Sequence, residues 1–186
     1  MADFAHKPTL TGEKVVLRRF AADDVDPLAA ILTDAEALKY TGSTGLTVDK
    51  AELRSLYATR ASRADRLDLA VVDRASGEFV GEVVLNEWDR QNRSCAFRTV
   101  LGPNGRDRGL GTEATTLIVG YGFEQLGLHR ISLFVYAFNA RARRVYEKVG
   151  FVAEGVERER LRQEGAWFDA IRMSILDHEW SARRRR

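Results

Sequence analysis

The chain has 186 residues, 45% hydrophobic and 30% charged, which suits one soluble domain with a sizeable core. Its formal charge of +2 lies in the tail: without Arg183, Arg184, Arg185 and Arg186 the remainder carries −2, so no basic footprint points to nucleic acid. One cysteine (Cys95), scattered histidines, no long apolar run and no signal-peptide core argue against a disulfide framework, a metal site and a membrane span, leaving a cytoplasmic protein as the expectation.

Residues 1–12 read as a flexible start, and Val15-Val16-Leu17-Arg18-Arg19-Phe20 predicts a first strand. Asp23-Asp24 precedes Val25, Leu28, Ala29, Ile31 and Leu32, the spacing of an amphipathic helix. Gly42-Ser43-Thr44-Gly45 marks a loop, and 48–63 predicts a second helix with Leu53, Leu56 and Tyr57 on one face. Segments 69–73 and 79–85 flank the turn Ala75-Ser76-Gly77, and Asp89-Arg90-Gln91-Asn92 leads into a strand over 94–101. A glycine loop follows, then a helix to Leu126 capped by Gly127, an apolar strand over 129–136 and a short helix over 140–149 capped by Gly150. Residues 151–162 and 167–176 pair about Glu164-Gly165, and 179–186 read as a basic, disordered tail. This order predicts a single α/β domain over 13–178, with a mixed, mostly antiparallel sheet of about seven strands flanked by about four helices.

The segment Arg106-Asp107-Arg108-Gly109-Leu110-Gly111 lies between a strand and a helix and is suited to a pyrophosphate. Its glycines allow positive φ and close backbone approach, and the amides of the turn and of the following helix start converge on an anion. No Gly-Lys-Ser/Thr follows, and the glycine order is not that of a dinucleotide fold. Downstream, Asn139 and Tyr146 are seven residues apart and so share a helix face. Taken alone, Asn139 is a good N-cap and Tyr146 an ordinary anchor to the sheet.

Together, Arg-x-x-Gly-x-Gly-Thr-Glu-Ala over 106–114 and Asn-x-x-Ala-x-x-x-Tyr-Glu-Lys-x-Gly-Phe over 139–151 resemble the GNAT superfamily of acyl-CoA-dependent N-acyltransferases. The finer resemblance is to its RimJ/RimL branch of ribosomal-protein N-terminal acetyltransferases, which Asp89-x-x-Asn92-Arg93 also matches. The resemblance implies acetyl-CoA as cosubstrate and no metal. Its pyrophosphate would lie on Arg106, Asp107, Arg108, Gly109, Leu110 and Gly111, with Thr112 and Arg143 adding contacts. The pantetheine arm would lie where the fourth and fifth strands splay apart, held by Asn139. A main-chain amide near Val100 or Leu101 would polarise the thioester carbonyl, and Tyr146 would protonate the departing thiolate. A homodimer is a further expectation from the resemblance.

The branch carries a glutamate early in its fourth strand, and the matching position here is Ala96. Either another acid (Glu82 first, or Glu87 or Asp89) or a water chain takes the proton, or Arg98 binds an acidic group on the acceptor or the acyl donor. Arg98, Glu87, Trp88 and Trp167, with Phe168, are the candidate acceptor contacts. The reading is an N-acetyltransferase acting on a primary amine, either a protein N-terminus or a small molecule. The alternatives are transfer from an acidic donor such as succinyl-CoA and a weakly catalytic CoA-binding regulatory module.

Overall fold

The computed structural model describes residues 4–185; expectations that fall on residues 1–3 and 186 lie outside them. The described residues form eight strands and six α-helices. In chain order these are β1 (Leu10–Thr11), β2 (Val15–Arg18), α1 (Val25–Leu32), α2 (Ala35–Thr41), α3 (Lys50–Arg60), β3 (Leu67–Asp73), β4 (Phe79–Asp89) and β5 (Ser94–Leu101), then α4 (Leu110–Glu124), β6 (Arg130–Tyr136), α5 (Ala140–Val149), β7 (Val152–Gln163), β8 (Ala166–Leu176) and α6 (Asp177–Arg184). They build one sheet in the order β1-β2-β3-β4-β5-β6-β8-β7. Every neighbouring pair is antiparallel except β5–β6. A parallel pair needs a crossover, and α4 supplies it. The α/β class and the mixed, mostly antiparallel sheet agree with the sequence expectation.

Strand alternation sorts the chemistry onto two faces. Val83 and Leu85 of β4 and Cys95 and Phe97 of β5 join Leu110, Ala114 and Ile118 of α4 in the main core. The alternate positions, among them Glu82, Ala96, Arg98 and Val100, lie on the opposite face. There α1 and α3 pack through Val25, Leu28, Leu53 and Tyr57. Leu56, expected beside Leu53 and Tyr57, is exposed instead.

Three segments differ from the sequence reading. Phe4 is 1% exposed and meets the Trp88 ring edge-on at 5.0 Å, so the start of the chain is ordered core from that residue. α2 was not predicted. Asp34 caps it by accepting from the Ala37 amide at 3.0 Å, and Gly42 ends it at φ +70. A Cβ on Gly42 would stand 2.7 Å from the Tyr136 hydroxyl, so glycine lets α2 close down on β6. The expected disordered tail is the helix α6 as far as Arg184, with Asp177 and Glu179 at its start and Arg183 and Arg184 at its end, matching the helix dipole. Trp180 holds it down, 8% exposed, donating from Nε1 to Glu124 at 2.9 Å. Among the described residues no helix is long and apolar enough to cross a membrane.

Candidate active site

β5 and β6 pair only at Ser94–Arg130, Cys95–Ile131 and Ala96–Ser132. Beyond that point β5 stays with β4 and β6 with β8, so the two part and leave an open gap. A cavity of about 780 Å³ runs through it, bounded by residues 96–101 and 132–136, the starts of α4 and α5, and α2. The Gly102 amide donates to Val80 O at 2.9 Å, which puts the even-numbered polar groups of β5 toward β4. Alternation therefore aims the amides of Thr99 and Leu101 into the gap and turns that of Val100 away, correcting half of the expected pair, while the Phe97 amide is taken by Ser132 in the last paired step of the ladder.

At one end of the gap Gly109 takes φ +81 and Asp107 φ +58, and the chain enters α4 with the amides of Leu110, Gly111 and Thr112 free of helical partners. A Cβ would stand 3.1 Å from Lys14 Nζ at Gly109 and 3.0 Å from Leu101 Cδ1 at Gly111. The Leu110 side chain is buried in the core, so only its backbone faces this end. The residues present fit a pyrophosphate-bearing cosubstrate: glycines clear the approach and unpaired helix-start amides supply the donors.

The arginines of the loop are used differently from the expectation. Arg106 donates from Nε to Leu101 O at 2.9 Å, to Asp34 at 2.6 Å and to Glu36 at 3.1 Å, which ties the loop to α2. Arg108 is paired with Asp73 at 2.7 Å and with Asn104 O at 3.0 Å. Arg143 is bound to Glu147 at 2.8 Å and does not line the cavity, whereas Arg144 and Lys148 do. These last two line the cavity from α5 with no ion pair among the described residues.

Asn139 and Tyr146 both line the cavity. Asn139 Oδ1 accepts from the Ala142 amide at 3.0 Å, so it caps α5 and keeps its amide nitrogen for a ligand. Tyr146 is 8% exposed, with its ring edge-on to Phe97 and Phe151 at 6.1 and 6.0 Å. Its hydroxyl makes no hydrogen bond among the described residues. Burial pushes its pKa up to about 12, so it keeps its proton at neutral pH.

On the other face, Glu82 shares the parity of Ala96 but is turned onto α3. Tyr57 donates to its Oε2 at 2.5 Å, and burial raises its pKa. It does not line the cavity, because Tyr57 occupies the side chain that would have to reach there. Glu87 does line it, at the irregular end of β4 with φ +54, as does Arg98. Asp89 instead caps its own turn, accepting from the Asn92 amide at 2.9 Å. Trp88 packs under Phe4, and Trp167 stands 56% exposed near the β7–β8 turn with Arg162 over its ring; neither lines the cavity. The aromatic groups at this face are Phe134, Tyr136, Phe138 and Tyr40, linked ring to ring at 5.6 to 5.9 Å.

Residues 14–152 match the profile of the Acetyltransferase (GNAT) domain. The chain belongs to the GNAT acetyltransferase family. It is 33% identical over 131 residues to a spermidine N(1)-acetyltransferase of Escherichia coli, covering 70% of this chain and 69% of that one. It is 27% identical over 178 residues to an N-acetyltransferase of Bacillus licheniformis, covering 93% and 98%. A crystal structure of a Vibrio cholerae spermidine N-acetyltransferase with CoA and spermine superposes with a TM-score of 0.83 at 25% identity, covering 91% of this chain and 99% of that one. The chain is thus an N-acetyltransferase enzyme with acetyl-CoA as donor. These relatives do not carry the finer RimJ/RimL likeness.

Within this GNAT fold, sequence reasoning missed Glu113. Its carboxylate accepts from the amides of Glu13, Lys14 and Val15 at 2.9, 2.8 and 2.7 Å, joining the first turn of α4 to β2. It also missed Tyr40 and the side of α2 that closes the cavity; Asp34 and Gly42, a cap residue and a stop seven residues of helix apart, were the available signal. Among the described residues, no group of three or more His, Cys, Asp or Glu could hold a metal ion.

Proposed function

We propose that the enzyme transfers acetyl directly from acetyl-CoA to a primary amine within the gap between β5 and β6, with Tyr146 as general acid. The observation that carries this is the unpartnered Tyr146 hydroxyl on the same cavity as the unpaired edge of β5. Acetyl-CoA supplies the acyl group activated as a thioester. The Thr99 amide, the first on β5 that faces the gap beyond the paired stretch, donates toward the position of the carbonyl oxygen, where charge grows as the amine attacks. The amine nitrogen forms its bond to the carbonyl carbon as the carbon–sulfur bond breaks, and Tyr146 gives its proton to the departing sulfur. The amides of Leu110, Gly111 and Thr112 receive the pyrophosphate, with Arg144 and Lys148 alongside, and Asn139 steadies the pantetheine arm.

Glu87 takes the amine proton, directly or through one water. Besides Asp107 of the phosphate loop it is the carboxylate on the cavity lining, and it follows Asn86, the cross-strand neighbour of Ala96. It thereby stands in for the acid absent at position 96. Similarity to spermidine acetyltransferases supports a small amine over a ribosomal N-terminus as the acceptor class.

The test is thiol release from acetyl-CoA with a panel of primary amines. Tyr146→Phe should lower kcat by about a hundredfold while CoA affinity stays the same. An unaltered kcat removes Tyr146 from the chemistry. Release for no amine at all, with CoA still bound tightly, favours a binding module over an enzyme.

A further inference from the structure

Resting on the reading above, the acceptor reaches the gap from the sheet face opposite Tyr146, and three guanidinium groups bound that approach. Arg98 and Phe134 each stand two residues beyond the last β5–β6 pair, Ala96–Ser132, and alternation gives them the same face. Arg172 is the cross-strand partner of Phe134 on β8, and Arg160 lies over the Phe134 ring with its Cζ 3.9 Å from the centroid. All three arginines line the cavity, so both walls of the gap are cationic at one level.

Their charge is not balanced. Arg160 and Arg172 share the single carboxylate of Glu157. The Arg98 side chain makes no hydrogen bond or ion pair among the described residues; Glu82 acts on it only at longer range, its carboxylate being held by Tyr57. A guanidinium presents a planar fork of N–H donors that matches a carboxylate in two parallel bonds. A polycation would meet repulsion at the same place.

We infer that the acceptor amine carries a carboxylate, received by Arg98 with Arg160 and Arg172 on the facing wall. The group belongs to the acceptor and not to the acyl donor because of the side from which each enters. The phosphate loop, α5 and Tyr146 lie with Phe97 on the α4 face. Arg98 projects to the other face, where it is exposed.

The experiment measures kcat/KM for thiol release with matched amines: β-alanine, γ-aminobutyrate, δ-aminovalerate and ε-aminocaproate, each against its own carboxamide. Aspartyl and asparaginyl peptides of otherwise identical sequence and spermidine complete the set. At least one carboxylate should exceed its amide by about tenfold, a gap of about 1.4 kcal/mol, and spermidine should fall below both. Arg98→Gln should bring that ratio to about one, Arg98→Lys should keep part of it, and CoA affinity measured on the same proteins reports an intact donor site. Acids no better than their amides at every spacing, spermidine as the best acceptor, or a ratio that survives Arg98→Gln would each overturn the inference. So would an effect of Arg98→Gln seen only as a changed preference between succinyl-CoA and acetyl-CoA, which would place the carboxylate on the donor. Transfer to neutral or cationic amines alone removes the inference and leaves the transferase reading standing; no thiol release with any amine removes both.

Discussion

The donor wall and the acceptor wall of the gap are made of different materials. The donor wall is mostly backbone: helix-start amides over 110–112, the strand amides of Thr99 and Leu101 and glycines that clear the way to them. The acceptor wall is side chain, with Arg98 from β5, Phe134 from β6, Arg160 from β7, Arg172 from β8 and Tyr40 from α2. Backbone recognition tolerates almost any side chain except where a Cβ would intrude, so it can hold one cosubstrate while the opposite wall changes its acceptor. The difference predicts that single substitutions on the donor wall act through conformation, and those on the acceptor wall through charge.

The largest expected effect is at Gly109. Gly109→Val forces a β-branched residue into the left-handed region and puts its Cβ against Lys14, so CoA should bind about a hundredfold more weakly by titration calorimetry. Gly77 is the control. Its φ of +76 imposes the same strain, but no atom lies within 4 Å of its Cβ, so Gly77→Val should lower Tm and spare CoA affinity. Equal losses of affinity in the two variants would mean that strain alone, and not the cradle, is being measured.

A smaller effect is expected from Arg106→Ala. The guanidinium is 11% exposed and joins Asp34, Glu36 and Leu101, so its loss should cost about 2 kcal/mol in denaturant unfolding. CoA affinity should fall severalfold, through a looser loop. A large affinity loss without a stability loss would make Arg106 a phosphate ligand after all.

The smallest effect is one of pH. Burial raises the Tyr146 pKa to about 12, above the usual value of about 10. The folded state therefore holds this proton more tightly, and the stability it contributes is complete below pH of about 10 and lost as pH rises through about 12. Activity should accordingly rise with amine deprotonation and show no alkaline fall up to pH of about 10.5. A descending limb near 10 in the pH–rate profile would mean that Tyr146 is wetter than its packing indicates.

The same contrast explains what the sequence revealed. That Gly109, Gly111, Asn139 and Tyr146 meet on one cavity was legible because turns and helix faces are written in short continuous runs. Arg106 and Arg108 lie in such a run, yet their roles were misjudged, since Asp34, Glu36 and Asp73 claim them from far along the chain. Glu82 was the first candidate for the base, but Tyr57, on another element, takes its carboxyl. Trp88 was misread with the N-terminus: Phe4 packs against it from a segment whose polar composition suggested a loose end. α2 spans seven residues, too few for a periodicity to stand out from noise.

The glycine loop is fastened on three sides before any ligand arrives. Arg106 holds it to α2, Arg108 to Asp73 at the end of β3, and Glu113 to the amides that open β2. A loop held in this way loses little freedom when a pyrophosphate settles on it, so the cost of its order falls on folding and not on association. Encounter with the cosubstrate becomes a docking onto a standing surface, and the speed of capture is set by diffusion and charge more than by rearrangement. The same three fastenings spread the loop's fate over distant parts of the sheet. A change near residue 13 or at the β3–β4 turn can therefore alter cosubstrate affinity without touching the cavity.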